Sequence, residues 1–229
     1  MALQQVNWAK FLSPGSNVPP DVFFLVQGED GKSCKIGAHR LLLAGVSPVF
    51  ERMFFGPMKG SEETVEVAET SPEAFQAMID YIYKDLGDGK DGRDRILEYL
   101  RWSLESPKTV CELYALGDNY DIPNLKTKIM DYLEDGWMDG FRITKDNLID
   151  TAIVASSYKE LFVDLSTVLQ MKCLQFYLES KDKNFPEFGE ILDELMEVGR
   201  STLQLLGNKS SSVRIHYFIP DTFLQVGVP

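Results

Sequence analysis

Three serine–proline pairs, Ser47-Pro48, Ser71-Pro72 and Ser106-Pro107, constrain this chain more than any other feature. A serine hydroxyl accepts hydrogen bonds from the free amides of a helix N-terminus. Proline fits the first helical position because its missing N–H would be unpaired there. Each pair therefore predicts a helix start. After Ser71-Pro72, the residues Phe75, Met78, Ile79 and Ile82 fall at i, i+3, i+4 and i+7, which makes one buried helix face. After Ser106-Pro107, Val110, Leu113, Tyr114 and Leu116 mark a short helix, and Pro123 restarts another with Leu125, Ile129, Tyr132 and Leu133 inward. Strand patterns alternate with these starts. Val22-Phe23-Phe24-Leu25-Val26 is an apolar strand, Asp30-Gly31 suits a tight hairpin turn, and Ser33 to Ile36 returns as its partner. Thr64-Val65-Glu66-Val67, between two helices, reads as a third strand.

The flanking regions have a different texture. Residues 1–17 form a short amphipathic lead and a loop, and the breakers Pro14, Gly15, Pro19 and Pro20 fall within residues 1–20. The stretch 85–105 is polar and then helical, with Ile96, Leu97, Leu100 and Leu104 on one side, and reads as an inserted loop and helix. From Phe141 onward the pattern is helical. Ile143 before a Thr144 cap, with Leu148 beyond it, fits a hydrophobic staple. Leu161, Leu165, Val168, Leu169 and Phe176 mark a second helix of this region; Phe188, Ile191, Leu192, Leu195, Val198, Thr202 and Leu206 mark a third. Val213, Ile215, Tyr217 and Ile219 then alternate as in a strand, without an obvious partner.

With 229 residues, of which 44% are hydrophobic and 11% aromatic, there is enough to fill the core of one domain plus a sizeable extension, or of two small domains. No apolar run approaches the ~18 residues that span a bilayer. Trp8 and Lys10 interrupt what would be the apolar part of a secretory signal, so a protein of a reducing compartment is expected, with the cytoplasm first and the nucleus as a second location. The net charge of −12 disfavours a direct hold on DNA or RNA, which needs Lys and Arg against phosphates. Residues 61–83 hold six acids (Glu62, Glu63, Glu66, Glu69, Glu73 and Asp80) and no Lys or Arg. Such a stretch repels polyanions and otherwise reads as a solvated acidic face.

Chemistry-bearing motifs are few. Gly87-Asp88-Gly89-Lys90-Asp91-Gly92 matches G-x-G-x-x-G, but it follows a helix and brings aspartates to where a pyrophosphate would sit. It also lacks the ligands of an EF-hand, and is expected to be a flexible loop. His39 and His216 are the only histidines, and His39, between a strand and an apolar helix, is expected to be a satisfied, partly buried imidazole. Ser47 lacks the second glycine of a nucleophile elbow, and capping already explains it. Cys34, Cys111 and Cys173 form no C-x-x-C and have no local basic context, so each is expected to be a buried small hydrophobe. Neither a catalytic constellation, a metal site nor a cofactor site emerges, and the chain is not expected to be an enzyme. What remains is Met53-Phe54-Phe55-Gly56-Pro57-Met58, too apolar for a loop without a partner. Either it folds back onto the core, or Phe55 and Met58 project outward as part of a protein-binding patch.

Several runs are familiar in combination. Asp21-Val22-Phe23-Phe24-Leu25-Val26, then Ala38-His39-Arg40-Leu41-Leu42-Leu43-Ala44, then Ser47-Pro48-Val49-Phe50 with Met53-Phe54 resemble the BTB/POZ domain. So do Ser71-Pro72-Glu73-Ala74-Phe75 with Tyr81-Ile82-Tyr83, and the block from Tyr114 to Leu125. The resemblance covers about residues 18–135, and the helical remainder, 141–206, is similar, more loosely, to the BACK-type helices that follow BTB domains in ubiquitin-ligase adaptors. Residues 207–229 are a tail, either a natural end or the start of a truncated module. No kelch, MATH or zinc-finger module is recognisable.

The resemblance implies an α+β fold, a small mixed sheet covered by helices, followed by an all-α BACK-like extension. It implies a homodimer and no catalysis, with Asp21 and Arg40 forming a charged pocket near the dimer interface. A buried charge that loses its partner costs ~3–5 kcal/mol, so both are expected to matter to the fold. The resemblance further implies an adaptor that docks on a cullin scaffold and presents a protein substrate, as yet unnamed, for ubiquitin transfer. The cullin-facing candidates are Met53, Phe54, Phe55, Met58, Glu62 and Tyr120. The family's hydrophobic-x-acid motif aligns with Met58-Lys59-Gly60, which lacks the acid; the next carboxylates are Glu62 and Glu63. The alternative is a self-association scaffold, or a transcription-regulator fragment, without cullin binding.

Overall fold

The computed structural model describes residues 18–28, 31, 33–57, 63–87, 106–134, 143–180, 193 and 195–197. The lead 1–17, the insertion beyond Gly87, the tail 207–229 and most of the helix expected over 188–206 lie outside the described residues. The chain divides into two compact units, Met1–Ile129 and Met130–Pro229.

The first unit is built on a three-stranded mixed sheet in the order β2-β1-β3. Strand β1 (Val22–Gln27) pairs antiparallel with β2 (Ser33–Ala38), from Val22↔Ala38 to Gln27↔Ser33. At the hairpin, Gly31 has φ +75°, the left-handed conformation that glycine adopts without a Cβ clash, and its N–H donates to the Gly28 carbonyl. Helices α1 (Arg40–Val46) and α2 (Pro48–Phe55) then carry the chain over to β3 (Thr64–Val67), which lies parallel to β1. Alternation along β1 sends Val22, Phe24 and Val26 fully inward, all at 0% exposure.

All three serine–proline pairs start helices. Ser47 Oγ accepts from the Phe50 N–H at the start of α2. Ser71 Oγ accepts from Ala74 N–H at the start of α3 (Pro72–Gly87), and Ser106 Oγ from Lys108 N–H at the start of α4 (Pro107–Asn119). Helix α3 continues through Asp85 to Gly87, so the polar insertion begins later than its composition suggests. An aromatic cluster seals the sheet to the helices. Phe24 of β1 meets Phe50 of α2 edge-on at 5.9 Å and Phe75 of α3 at 4.9 Å, and Phe50 stacks on Phe54 at 5.7 Å and on Tyr120 at 4.4 Å. Each such pair contributes ~0.5–1.5 kcal/mol beyond the area it buries.

Helix α4 ends in a Schellman motif: the Ile122 N–H bonds to the Gly117 carbonyl and the Asp121 N–H to that of Asp118. Asp121 takes the left-handed position, φ +52°, in place of the usual glycine, and Ile122 supplies the buried apolar residue that follows. This stop sets Tyr120 against Phe50. Helix α5 (Pro123–Glu134) follows, with Leu125, Ile129, Tyr132 and Leu133 buried.

The second unit contains α6 (Leu148–Ser157) and α7 (Val163–Glu179). Thr144 and Asn147 cap it reciprocally: Thr144 N–H donates to Asn147 Oδ1, and Asn147 N–H to Thr144 Oγ1. Regular helix therefore begins at Leu148, a turn after the cap read from the sequence. Leu148, Ala152, Cys173, Leu174 and Leu195 form a buried cluster, with Ile143 packed against it. Leu161, expected inside, is 72% exposed, because it lies in the turn before α7 rather than on its inner face.

Candidate functional site

Asp21 and Arg40, expected as a charged pair, meet at the start of α1. Asp21 is exposed, and its Oδ1 accepts the Arg40 N–H at 2.8 Å. His39, the residue at the N-cap of α1, makes no side-chain cap of its own. Asp21 therefore acts as a non-local cap, bridging the start of β1 to the start of α1. Loss of the Asp21 carboxylate removes this cap. The Arg40 guanidinium lies over the Phe54 ring, 5.5 Å from its centroid. This contact brings the N-terminal end of α1 beside the C-terminal end of α2.

At that end two large apolar side chains face solvent: Phe55, 56% exposed, and Leu41, 66% exposed. Phe54, grouped with Phe55 in the sequence, is only 5% exposed and belongs to the core. Consecutive helical residues are about 100° apart and cannot share a face. Phe54 underlies the site, its ring 6.4 Å from that of Phe55. Met53 is half-buried. Met58 and Glu62 lie outside the described residues. Helix α2 stops sharply after Phe55: Gly56 N–H bonds back to the Arg52 carbonyl, and a Cβ on Gly56 would run into that same oxygen.

Tyr120 is half-buried and stacked on Phe50, and burial holds its hydroxyl above the usual tyrosine pKa. Its carbonyl accepts a hydrogen bond from the Ser47 hydroxyl. Ser47, 0% exposed, thus caps α2 and ties that helix to the end of α4. Leu41 was missed as a site residue, although the signal was available: three successive leucines on a seven-residue helix cannot all face inward.

Two further polar arrangements are structural. Glu112 is buried; its carboxylate accepts from both the N–H and the hydroxyl of Ser71, and its other oxygen lies 3.8 Å from Lys108 Nζ. A cleft of about 510 Å³ opens beside it, lined among others by Cys34, Ser71, Ser106, Lys108 and Glu112 itself, whose carboxylate is held by Ser71 and Lys108. His39 is buried; its ring meets the Tyr83 hydroxyl at 2.5 Å, and its N–H donates to that same oxygen at 2.9 Å. Burial pushes the Tyr83 hydroxyl up to about 12. Of the cysteines, Cys111 and Cys173 are buried, which pushes both thiols up to about 12. Cys34 is exposed, against expectation, because on the edge strand β2 only Ile36 and Ala38 reach the core. Among the described residues no group of three or more His, Cys, Asp or Glu could hold a metal ion, and no helix is long and apolar enough to cross a membrane.

A protein-family model for the BTB/POZ domain matches residues 15–136. Among similar proteins, "BTB/POZ and MATH domain-containing protein 4" of Arabidopsis thaliana is 26% identical over 183 residues, which is 73% of this chain and 35% of that protein. "BTB/POZ domain-containing protein 6" of Xenopus laevis is 28% identical over 141 residues, 58% of this chain and 23% of that protein. "BTB/POZ domain-containing protein 3" of Homo sapiens is 30% identical over 114 residues, 50% of this chain and 19% of that protein. The chain thus spans 35% or less of the length of these relatives.

Proposed function

This chain belongs to the BTB/POZ family, a family of protein–protein interaction modules, and from that premise we propose that it is a homodimeric adaptor that docks on a cullin scaffold and presents a protein substrate for ubiquitin transfer. The observation that carries this reading is Phe55: a large aromatic, 56% exposed, at the end of α2 on a base of buried Phe54. A rigidly supported aromatic anchor that loses its water on docking is the kind of residue that dominates an interface. Leu41 and the Asp21–Arg40 link, at the same end of the helix pair, are assigned to self-association. Residues 141–206, including α6 and α7, are assigned to a BACK-like extension, and the cytoplasm to the site of action.

Titration of the purified chain with a cullin N-terminal domain tests this. Saturable binding that weakens at least tenfold in Phe55→Ala is expected, with Gly60→Glu restoring the acid of the motif and tightening the complex. No binding by either the natural chain or Gly60→Glu would remove the adaptor reading and leave a self-association scaffold. Light scattering of the natural chain and Leu41→Arg reads the dimer separately.

A further inference from the structure

Among the described residues strand β3 is an edge of the sheet, and its register with β1 assigns its hydrogen-bonding groups. The Phe23 N–H bonds to the Glu63 carbonyl, with Phe23 opposite Thr64 and Leu25 opposite Glu66. In a parallel pair this turns the N–H and C=O of Val65 toward β1, and those of Thr64 and Glu66 away from it. Both Thr64 and Glu66 are exposed, whereas Val67 is buried. Among the described residues no second strand pairs with β3. Unpaired strand edges are templates for another extended chain, and proteins commonly blunt them with lysine, proline or a bulge. The opposite edge follows that rule: β2 carries Lys35, its ammonium 4.0 Å above the Phe23 ring. Strand β3, four residues long, carries Thr-Val-Glu-Val, with no lysine or proline; its one charge, Glu66, is acidic and so discourages some partners and favours basic ones.

The charge around β3 selects what can add to it. Glu63, Glu66, Glu69 and Glu73 are all exposed, in a stretch of sequence with no Lys or Arg from 61 to 83. Glu69, at φ +63°, turns the chain off the strand. A second copy of β3 would bring a second set of acids to the same edge, which like-charge repulsion disfavours. We propose that the open edge of β3 docks an extended, basic segment of a partner protein, which adds as a fourth strand. Its backbone pairs with the outward N–H and C=O groups of Thr64 and Glu66. Its Lys or Arg side chains lie against Glu63, Glu66 and Glu69. This surface is independent of Phe55 and does not require that a cullin binds.

The test uses the full chain and a short fluorescent peptide of alternating Arg and Val, with a Glu–Val peptide as control, read by anisotropy and by hydrogen exchange. The expected result is saturable binding of the Arg–Val peptide alone, with the Thr64 and Glu66 amides slowed in its presence. Thr64→Pro removes an outward donor without touching the bonds to β1, a position where edge strands tolerate proline, and should weaken binding about threefold to tenfold with unchanged melting. Glu66→Lys, which keeps the backbone, should abolish binding of the Arg–Val peptide. Three results would overturn the proposal: no saturable binding; binding indifferent to both substitutions and erased by moderate salt, which is diffuse attraction to an acidic surface; or a self-association lost in Thr64→Pro, which would make the occupant a second copy.

Discussion

Replacing Ser47 by alanine removes one oxygen and two structural links. The first is the N-cap of α2, where Ser47 Oγ accepts the Phe50 N–H at 3.1 Å; loss of such a cap costs about 1 kcal/mol. The second is the donation of the same hydroxyl to the Tyr120 carbonyl, across 73 residues of chain. Ser47 is 0% exposed, so its loss leaves that carbonyl without its donor beside the core, a further cost of about 1–3 kcal/mol. The sum is about 2–4 kcal/mol, a large share of the ~5–15 kcal/mol that holds a domain together. Ser106 provides the internal control. It caps α4 through the Lys108 N–H at 3.2 Å but is only half-buried, so Ser106→Ala should cost the cap alone, about 1 kcal/mol. Because the chain divides into two compact units, the assay must report on the first. Urea unfolding followed by hydrogen exchange at the amides of β1 and α2 does so. With a slope of about 2 kcal/mol per molar urea, Ser47→Ala should lower the midpoint by about 1–2 M and Ser106→Ala by about 0.5 M. Equal costs, within about 0.5 kcal/mol, would refute the reasoning: the bond to Tyr120 would then contribute nothing.

The two adjacent phenylalanines of α2 should separate cleanly. Phe54→Ala empties a core site and should cost about 3–5 kcal/mol, whereas Phe55→Ala should stay within ~0.5 kcal/mol in the same urea experiment, since Phe55 is more than half exposed. Asp21→Ala should cost about 0.5–2 kcal/mol as a lost cap, with Asp21→Asn retaining most of it; a loss above ~3 kcal/mol would restore the buried-charge picture. Titration of the native chain with a thiol reagent near neutral pH should find one fast thiol, Cys34, and three after denaturation; loss of the fast phase in Cys34→Ser is the check. Tyr83 is neutral in the fold up to about pH 12 but ionises near 10 when unfolded, so its contribution is fully present below pH 10 and lost as the pH rises through 12. Tyr83→Phe should flatten this part of the alkaline limb of a stability–pH curve measured by calorimetry.

Local chemistry was legible wherever it is decided within a few residues. Ser47, Ser71 and Ser106 announced their helices because a cap is made by a side chain and an amide two or three positions on. The period of apolar residues named Phe75, Met78, Ile79 and Ile82 as a buried face, and all four are. A turn could be read from Asp30-Gly31 because only a few residues tolerate a positive φ, but the stop of α4 was hidden, since Asp121 occupies a place that glycine usually marks. Cys34 was misread for a different reason: nothing in its neighbours says that β2 is an edge strand.

By itself, then, the sequence determined the elements and most of the core among the described residues, because capping, periodicity and turn geometry act over a handful of residues, while the fold class rested on the resemblance to a family. Tertiary structure alone decided which of Phe54 and Phe55 faces water, that the Asp21 carboxylate caps the amide of Arg40, and that Glu112 is engaged by Ser71. It also decided which amides of β3 point away from β1, through a register with a strand about 40 residues earlier in the chain. Those outcomes depend on which distant surfaces meet, and burial, the quantity that sets them, has no value until the chain has closed on itself.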